Sequence, residues 1–260
     1  MQDIQAGKIS SQFSIRSAGV TNLRYPFLIR ETISGEVQRV TAEWKMGVAI
    51  PRDQRGTHMS RFIEELESRS ETPLEFDAVS DFARSVSQRL DAPEADLKIT
   101  FPWFHRVAAP VSKQTSLMHY DLTFEARHTT SPVKTLEVVV PCKALCPCSK
   151  SISDRGAHNQ RSYVRARLDF AHDAKAPSFL RIADLMQDAA SSRVYPLLKR
   201  EDEKYVTEHA YDNPTFVEDL VRGVGMRLAD TPNLRGLTIS ALNQESIHNH
   251  DCFAELVLEL

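Results

Sequence analysis

The sequence predicts an α+β fold built from two tandem modules, each with the element order ββααββ. Three observations support this class. Apolar and polar residues alternate in segments of strand length, pairs of segments with helical periodicity lie between these strands, and the same order occurs in residues 21–130 and 131–260. Each module is expected to form a four-stranded antiparallel sheet backed by two helices. Open sheet edges must be paired or covered, so we expect modules and subunits to join into barrels.

The composition and net charge of the chain argue against several functional classes. The chain has 260 residues, of which 42% are hydrophobic and 26% charged, as in an ordinary globular protein. A net charge of −3 gives no reason to expect nucleic-acid or membrane binding. No apolar segment approaches the roughly 20 residues of a membrane span, and no secretory leader is expected. With four cysteines, the chain is predicted to be cytoplasmic, where clustered thiols serve metal binding or catalysis.

The first module begins after a polar segment, residues 1–20, which we expect to be an N-terminal tail. Residues 23–29 form a predicted edge strand, because Pro26 cannot donate to a sheet ladder. A turn at Ser34 and Gly35 leads into a second strand. The apolar face of that strand comprises Val40, Ala42, Trp44, Met46 and Val48.

Two helices and two strands complete this module. The first helix starts near Ser60, and Pro73 is expected to begin the second. Strands are predicted at residues 97–107 and 117–127. The apolar stripe of the first helix is Phe62, Ile63 and Leu66, and that of the second is Phe76, Val79, Phe82, Val86 and Leu90.

The second module repeats this order. Its first helix is predicted at residues 180–190, and its second begins with Asn213 as N-cap and Pro214 at the first helical position. Its strands are predicted at residues 133–140, 162–170, 237–242 and 252–260.

A thiol and imidazole cluster is the strongest chemical signal. Cys146 and Cys148 flank Pro147, His158 follows ten positions after Cys148, and Cys142 lies close by. In an extended segment the two sulfurs would face the same side, and Pro147 favours an extended Cys146. Sulfur and nitrogen donors select a zinc-like ion. A structural site closed by four protein ligands and a catalytic site open to water both fit this pattern.

Three further features have alternative interpretations. Residues 197–208 are densely charged and could be a solvated linker, and residues 244–251 form a polar turn rich in acid–base groups. Glu218 suits the dipole at a helix start, or could hold the N–H edge of a nucleobase. Cys142 and Cys252 are expected to be core residues.

Several segments together resemble the type IB family of GTP cyclohydrolases: residues 19–26, 145–162, 194–208, 213–222 and 245–251. The resemblance covers essentially the whole chain. It implies a tunnelling fold, a homotetramer with active sites between subunits, and a divalent metal ion, with zinc or manganese expected and iron possible. It also implies hydrolysis of GTP at guanine C8, release of formate and formation of 7,8-dihydroneopterin triphosphate, the first step of folate biosynthesis.

The resemblance also assigns site residues. It implies that Cys146, His158 and Glu203 bind the metal, and that Cys146, Cys148 and His248 are catalytic, with His248 in an acid–base role. Glu218 is implied to bind the guanine edge. Two positions depart from the family pattern: Glu201 competes with Glu203 as ligand, and Cys252 replaces a small residue away from the chemistry.

Two rival functions follow from the same features. One is another tunnelling-fold enzyme, such as a nitrile reductase that uses a thiol nucleophile and NADPH. The other is a non-enzymatic zinc-binding module that organises an oligomer, in which case metal removal would unfold the protein.

Overall fold

A computed structural model of the chain describes residues 9, 11–175 and 177–259, so parts of the predicted tail and the final residue of the predicted last strand lie outside it. The described residues form nine strands and six helices. The strands are β1 (Ile15–Arg30), β2 (Val37–Ile50), β3 (Ala95–Ala108), β4 (Thr115–His128), β5 (Val133–Leu145), β6 (Asn159–Ala171), β7 (Ser192–Arg193), β8 (Leu234–Gln244) and β9 (Cys252–Glu259). The helices are α1 (Met59–Arg69), α2 (Val79–Arg89), α3 (Pro147–Ile152), α4 (Phe179–Gln187), α5 (Arg200–Asp212) and α6 (Val217–Leu228).

The chain divides into two compact units whose segments interleave. The first comprises the described residues up to Pro102 with Thr123–Leu136 and Asp169–Ser178, and the second comprises Trp103–Leu122, Glu137–Leu168 and the chain from Phe179 onward. Strands with helices confirm the predicted α+β class. The module boundary at residue 130 stays a prediction.

In the first unit, β1 and β2 form the predicted antiparallel hairpin. The carboxylate of Glu31 accepts hydrogen bonds from the amides of Ile33 and Ser34, at 2.9 and 2.6 Å, and Gly35 adopts a φ of +71°. The positive φ favours glycine at this position of the turn. The predicted apolar face of β2 is buried throughout: Val40, Ala42, Trp44, Met46 and Val48.

β1 is an edge strand, as predicted, but it starts earlier than expected. Residues 15–20 belong to the strand rather than to a tail, because their backbone pairs with the end of β2. Gly19 lies opposite Gly47, and a Cβ at Gly19 would meet the Met46 carbonyl oxygen at 1.9 Å. This close backbone approach does not depend on apolar periodicity, so the pattern of residues did not reveal it.

The two helices of the first unit differ from expectation in detail. Ile63 is 37% exposed because it lies about 100° around α1 from the buried Phe62. α2 begins at Val79 rather than Pro73, after a 3₁₀ turn at Phe76–Ala78. The chain before this turn instead pairs with β1, since the Leu74 amide donates to the Leu28 carbonyl. All five apolar residues predicted for the second helix are nevertheless buried: Phe76, Val79, Phe82, Val86 and Leu90.

The second unit contains the β8–β9 hairpin, with α6 packed against both strands. β9 is an edge strand. Its outer face leaves Phe253 77% exposed and Val257 59% exposed.

The segment before α6 contradicts two predictions. The N-cap of α6 is Phe216, whereas Asn213 is the C-cap of α5. α5 itself occupies most of the segment that could have been a solvated linker. Only Asp202, Val206 and Ala210 of this helix are buried, so its apolar periodicity is weak. No helix in the described residues is long and apolar enough to cross a membrane.

Candidate functional site

Cys146 lies where β5 ends and α3 begins. Its backbone is extended, with φ −68° and ψ 117°, and it serves as the N-cap of α3, with Pro147 at the start of the helix. The Ser149 amide donates to the Cys146 sulfur at 3.5 Å, and the Ser149 hydroxyl donates to the Cys146 carbonyl at 3.2 Å. The expectation of an extended Cys146 is therefore confirmed.

Cys148 contradicts the expectation of two cysteines alternating on one strand. It lies inside α3 and is exposed, because the capped helix starts directly after Cys146. The two sulfurs therefore cannot be placed on one side by strand geometry. Its role as a second active-site thiol stays a prediction.

His158 lies beside Cys146 because the loop between them closes by backbone hydrogen bonds. The Cys146 amide donates to the His158 carbonyl at 3.1 Å, and the His158 amide donates to the Ser149 hydroxyl at 3.1 Å. The structure thus brings together the thiol and imidazole residues that the sequence singled out.

The His158 ring is oriented by residues that the sequence analysis did not identify. Its Nδ1 lies 3.1 Å from Gln160 Oε1 and 3.9 Å from Glu245 Oε2. An Nδ1–H donated to Gln160 leaves the lone pair on Nε2, which is the arrangement of a metal-binding histidine. Glu245 Oε2 is buried and has no hydrogen-bond partner in the described part of the chain.

A cavity of about 430 Å³ opens beside Cys146. Three carboxylates contribute to its wall, from Glu218, Glu245 and Asp251, and none of the described lysine or arginine residues lines it. Such a wall accepts N–H donors and disfavours phosphate groups. The other lining residues are Cys146, Gln160, Thr215, Phe216, Val217, Asn243, Cys252 and Phe253.

Glu218 lies in the first turn of α6, as expected, and faces this cavity. The segment that leads into α6 is attached to the end of β5, since the Thr215 amide donates to the Leu145 carbonyl at 3.0 Å. The Leu145 amide in turn donates to the Ser191 hydroxyl at 3.0 Å. These bonds fix the start of α6 next to Cys146, so one cavity receives both the thiol and the carboxylate.

Glu201 and Glu203 are exposed on the first turn of α5, on either side of the fully buried Asp202. Asp202 holds this turn in place. Its carboxylate accepts hydrogen bonds from the amides of Val111, Ser112 and Lys199 at 2.8–2.9 Å, and from the Ser112 hydroxyl. Burial alone would raise the pKa of Asp202, but these hydrogen bonds outweigh it and hold the pKa well below its usual range. The choice between Glu201 and Glu203 as metal ligand stays a prediction.

His248 lies in the turn between β8 and β9 and is exposed. Its ring stacks on His250, with 5.1 Å between centroids, and does not line the cavity. Across residues 9, 11–175 and 177–259, no group of three His, Cys, Asp or Glu side chains is arranged to hold a metal ion. The predicted ligand set and the acid–base role of His248 are therefore not tested by this geometry.

The position of Cys252 contradicts the expectation that it is a core residue. The residue is not part of the core, and it contributes to the cavity wall because it pairs with Asn243 across the β8–β9 hairpin. Burial, followed by the charges of Glu245, Glu218 and Asp251, raises the pKa of its thiol. Cys142, by contrast, is fully buried as predicted, and burial raises its pKa to about 12.

The cavity residues that the sequence did not assign to the site include Gln160, Asn243, Glu245, Asp251 and Cys252. Glu245 lies in the polar turn that was singled out for its acid–base groups, so a signal existed for it. Gln160 follows His158 by two residues at the start of β6, where extended chain returns a side chain to the same face. No pattern in the sequence indicated Asn243 as a site residue.

Comparison with known structures defines the fold class. The chain is similar to the uricase of Arthrobacter globiformis, with a TM-score of 0.52 at 9% identity, over 100% of this chain and 96% of that one. The fold is therefore the tunnelling fold, here carrying a thiol and an imidazole beside an acidic cavity.

Sequence comparison identifies the family. The profile of the family described as type I GTP cyclohydrolase folE2 matches residues 1–254. The chain is 43% identical over 258 residues to GTP cyclohydrolase FolE2 1 of Dechloromonas aromatica, and 42% identical over 255 residues to GTP cyclohydrolase FolE2 of Bordetella avium. Each alignment covers 98% of this chain and 95% of the relative. The chain belongs to the type I GTP cyclohydrolase folE2 family.

Proposed function

We propose that this protein is a metal-dependent GTP cyclohydrolase of type IB. It hydrolyses GTP at guanine C8, releases formate and forms 7,8-dihydroneopterin triphosphate for folate biosynthesis. The observation that carries the proposal is the pairing of Cys146 with His158 beside an acidic cavity, in a chain of this family.

The donor set fits a divalent metal ion. Cys146 offers a sulfur that already accepts an amide hydrogen bond, and His158 offers Nε2 while Nδ1 is engaged by Gln160. Glu203, or Glu201 in its place, would complete the set with a carboxylate. Sulfur, nitrogen and oxygen together suit zinc, manganese and iron to different degrees. A divalent ion held by these residues would supply Lewis-acid chemistry and would lower the pKa of a bound water.

The guanine base occupies the acidic cavity in this proposal. Glu218 accepts the N1–H and one hydrogen of the 2-amino group through its two carboxylate oxygens. The volume of about 430 Å³ lies within the range of small-molecule sites. In the part of the chain that the structure describes, no lysine or arginine lines the cavity, so we expect the triphosphate to extend out of it towards other residues.

In this proposal, groups near His158 and in the adjacent turn transfer the protons. The unpartnered Oε2 of Glu245 lies 3.9 Å from His158 Nδ1, so this carboxylate would hold a proton beside the His158 ring. His248 protonates the imidazole ring nitrogen of the base, which makes C8 more electrophilic. Cys148 acts as a second thiol near C8.

We also propose a cytoplasmic homotetramer of tandem modules, with active sites between subunits. The exposed apolar side chains of Phe253 and Val257 on the edge strand β9 support an interface there. An inter-subunit site would supply donors that the described residues of one chain do not bring together.

The test is a formate assay in which protein is incubated with GTP and Zn²⁺, Mn²⁺ or Fe²⁺ in turn. We expect formate, together with a pterin that becomes fluorescent after oxidation. A matched control is Cys142→Ala, which changes a buried cysteine outside the cavity and should keep the activity if the core tolerates it. Absence of formate with all three metals would refute the proposal. Formate release without added NADPH distinguishes the proposed activity from that of a nitrile reductase, which uses NADPH.

A further inference from the structure

Asn243 presents an unused hydrogen-bond acceptor to the cavity. The residue is 3% exposed, it lines the cavity, and its Oδ1 is buried without a hydrogen-bond partner in the described ranges. Buried polar atoms in folded proteins nearly always have a partner. An acceptor left unpaired in a cavity wall therefore indicates a donor that belongs to the ligand.

Asn243 and Glu245 both line this cavity. Glu245 follows Asn243 by two residues, and extended chain advances about 6–7 Å over two residues. Glu245 marks the end of the cavity at His158, since its Oε2 lies 3.9 Å from His158 Nδ1. Asn243 therefore lies one strand step, about 6–7 Å, before the carboxylate that is beside His158.

The donors of guanine match the acceptors of the cavity. The pyrimidine edge of guanine carries three N–H bonds, one on N1 and two on the 2-amino group. A carboxylate at Glu218 takes two of them with its two oxygens, which leaves one amino hydrogen. Gln160 Oε1 already lies 3.1 Å from His158 Nδ1, whereas Asn243 Oδ1 has no partner among the described residues and can accept this hydrogen.

We propose that Asn243 is a specificity-determining residue, whose Oδ1 accepts the second hydrogen of the guanine 2-amino group. The inference rests on the proposed function. It predicts selection against purine nucleotides that lack the amino group, because Asn243 would then remain unpaired.

The experiment compares GTP with inosine 5′-triphosphate, which lacks only the 2-amino group, as substrates of the metal-loaded full-length enzyme. Asn243→Leu removes the acceptor at similar volume, and Asn243→Asp keeps an acceptor oxygen. We expect Asn243→Leu to lower kcat/KM for GTP by about tenfold or more, while kcat/KM for inosine triphosphate changes little. Asn243→Asp should still favour GTP over inosine triphosphate, because its carboxylate accepts from the amino group that only GTP carries.

Two results would overturn the assignment. One is a loss in Asn243→Leu that is equal for both substrates. The other is an aspartate variant that loses discrimination as the leucine variant does, since the required group would then be the amide N–H. Asn243→Ala replaces Asn243→Leu if the latter does not fold. A wild-type enzyme that releases no formate from GTP would instead refute the proposed function, so the two failures are distinguishable.

Discussion

The amide nitrogen of Cys146 donates a hydrogen bond to the carbonyl oxygen of His158 at 3.1 Å. The two proposed metal-binding residues are therefore joined through backbone atoms, across a loop of eleven intervening residues that includes α3. Because side-chain substitutions leave these atoms in place, the site can lose its donors and keep its shape.

Cys146→Ala and His158→Ala should each abolish stoichiometric metal binding while the protein remains folded. Elemental analysis of the purified variants measures the metal, and circular dichroism reports the fold. Cys252→Ala is the matched control, since it removes a thiol of the same cavity that is not a proposed ligand. Full metal content in either alanine variant would contradict the ligand assignment.

Gln160→Leu should weaken metal affinity about 10–100-fold, because His158 loses the acceptor that fixes its ring and tautomer. Gln160→Glu retains an acceptor and should restore most of the affinity. Competition with a chromophoric chelator gives the dissociation constants. Equal affinities in all three proteins would show that Gln160 does not orient the histidine.

Glu218→Ala should retain the metal and lose GTP binding by about 100-fold or more, since two hydrogen bonds to a charged acceptor disappear. Asp219→Ala is a close control, because Asp219 lies in the same first turn and pairs with Arg222 outside the cavity. KM values from the formate assay, together with metal content, separate the two effects. Similar losses in both variants would indicate a helix effect rather than base recognition.

The Cys252 thiol should react slowly with iodoacetamide at neutral pH. Its pKa is raised by burial and by neighbouring carboxylates, so the reactive thiolate forms only above the usual thiol range of about 8.5. Mass spectrometry of the modified peptide across pH 7–10 measures the rate. A rate that levels off at or below that range would contradict the raised pKa.

Asp202→Ala should lower the thermal midpoint, because four donors lose their buried acceptor. Lys204→Ala changes an exposed residue of the same helix and should change the free energy of unfolding by no more than about 0.5 kcal/mol, as surface substitutions usually do. Differential scanning calorimetry measures both. An unchanged midpoint in Asp202→Ala would show that this anchor contributes nothing to stability.

Alternation of apolar residues was sufficient to predict the principal strands, because one face of each is buried, as Trp44 in β2 and Leu122 in β4 illustrate. Two helices, α3 and α5, were not predicted from the sequence, and each was missed for a different reason. α3 has six residues and none of them is buried, and α5 is held by the Asp202 hydrogen bonds to a distant loop. Neither leaves an apolar stripe in the sequence.

The site residues likewise comprise some that the sequence predicts and some that it does not. Cys146 and His158 were predictable because their chemistry is rare and their spacing is local. Gln160, Asn243 and Glu245 act through contacts that only the folded sheet creates, and Asn and Gln residues are common. Cys252 was misassigned to the core because alternation in β9 does not distinguish a cavity wall from a core face.

The most direct test is formate release from GTP by metal-loaded wild-type protein, measured beside Cys146→Ala and His158→Ala under identical conditions. The proposed site predicts equimolar formate and pterin from the wild type and none from either folded variant. Formate at the wild-type rate from a variant that lacks either donor would contradict it.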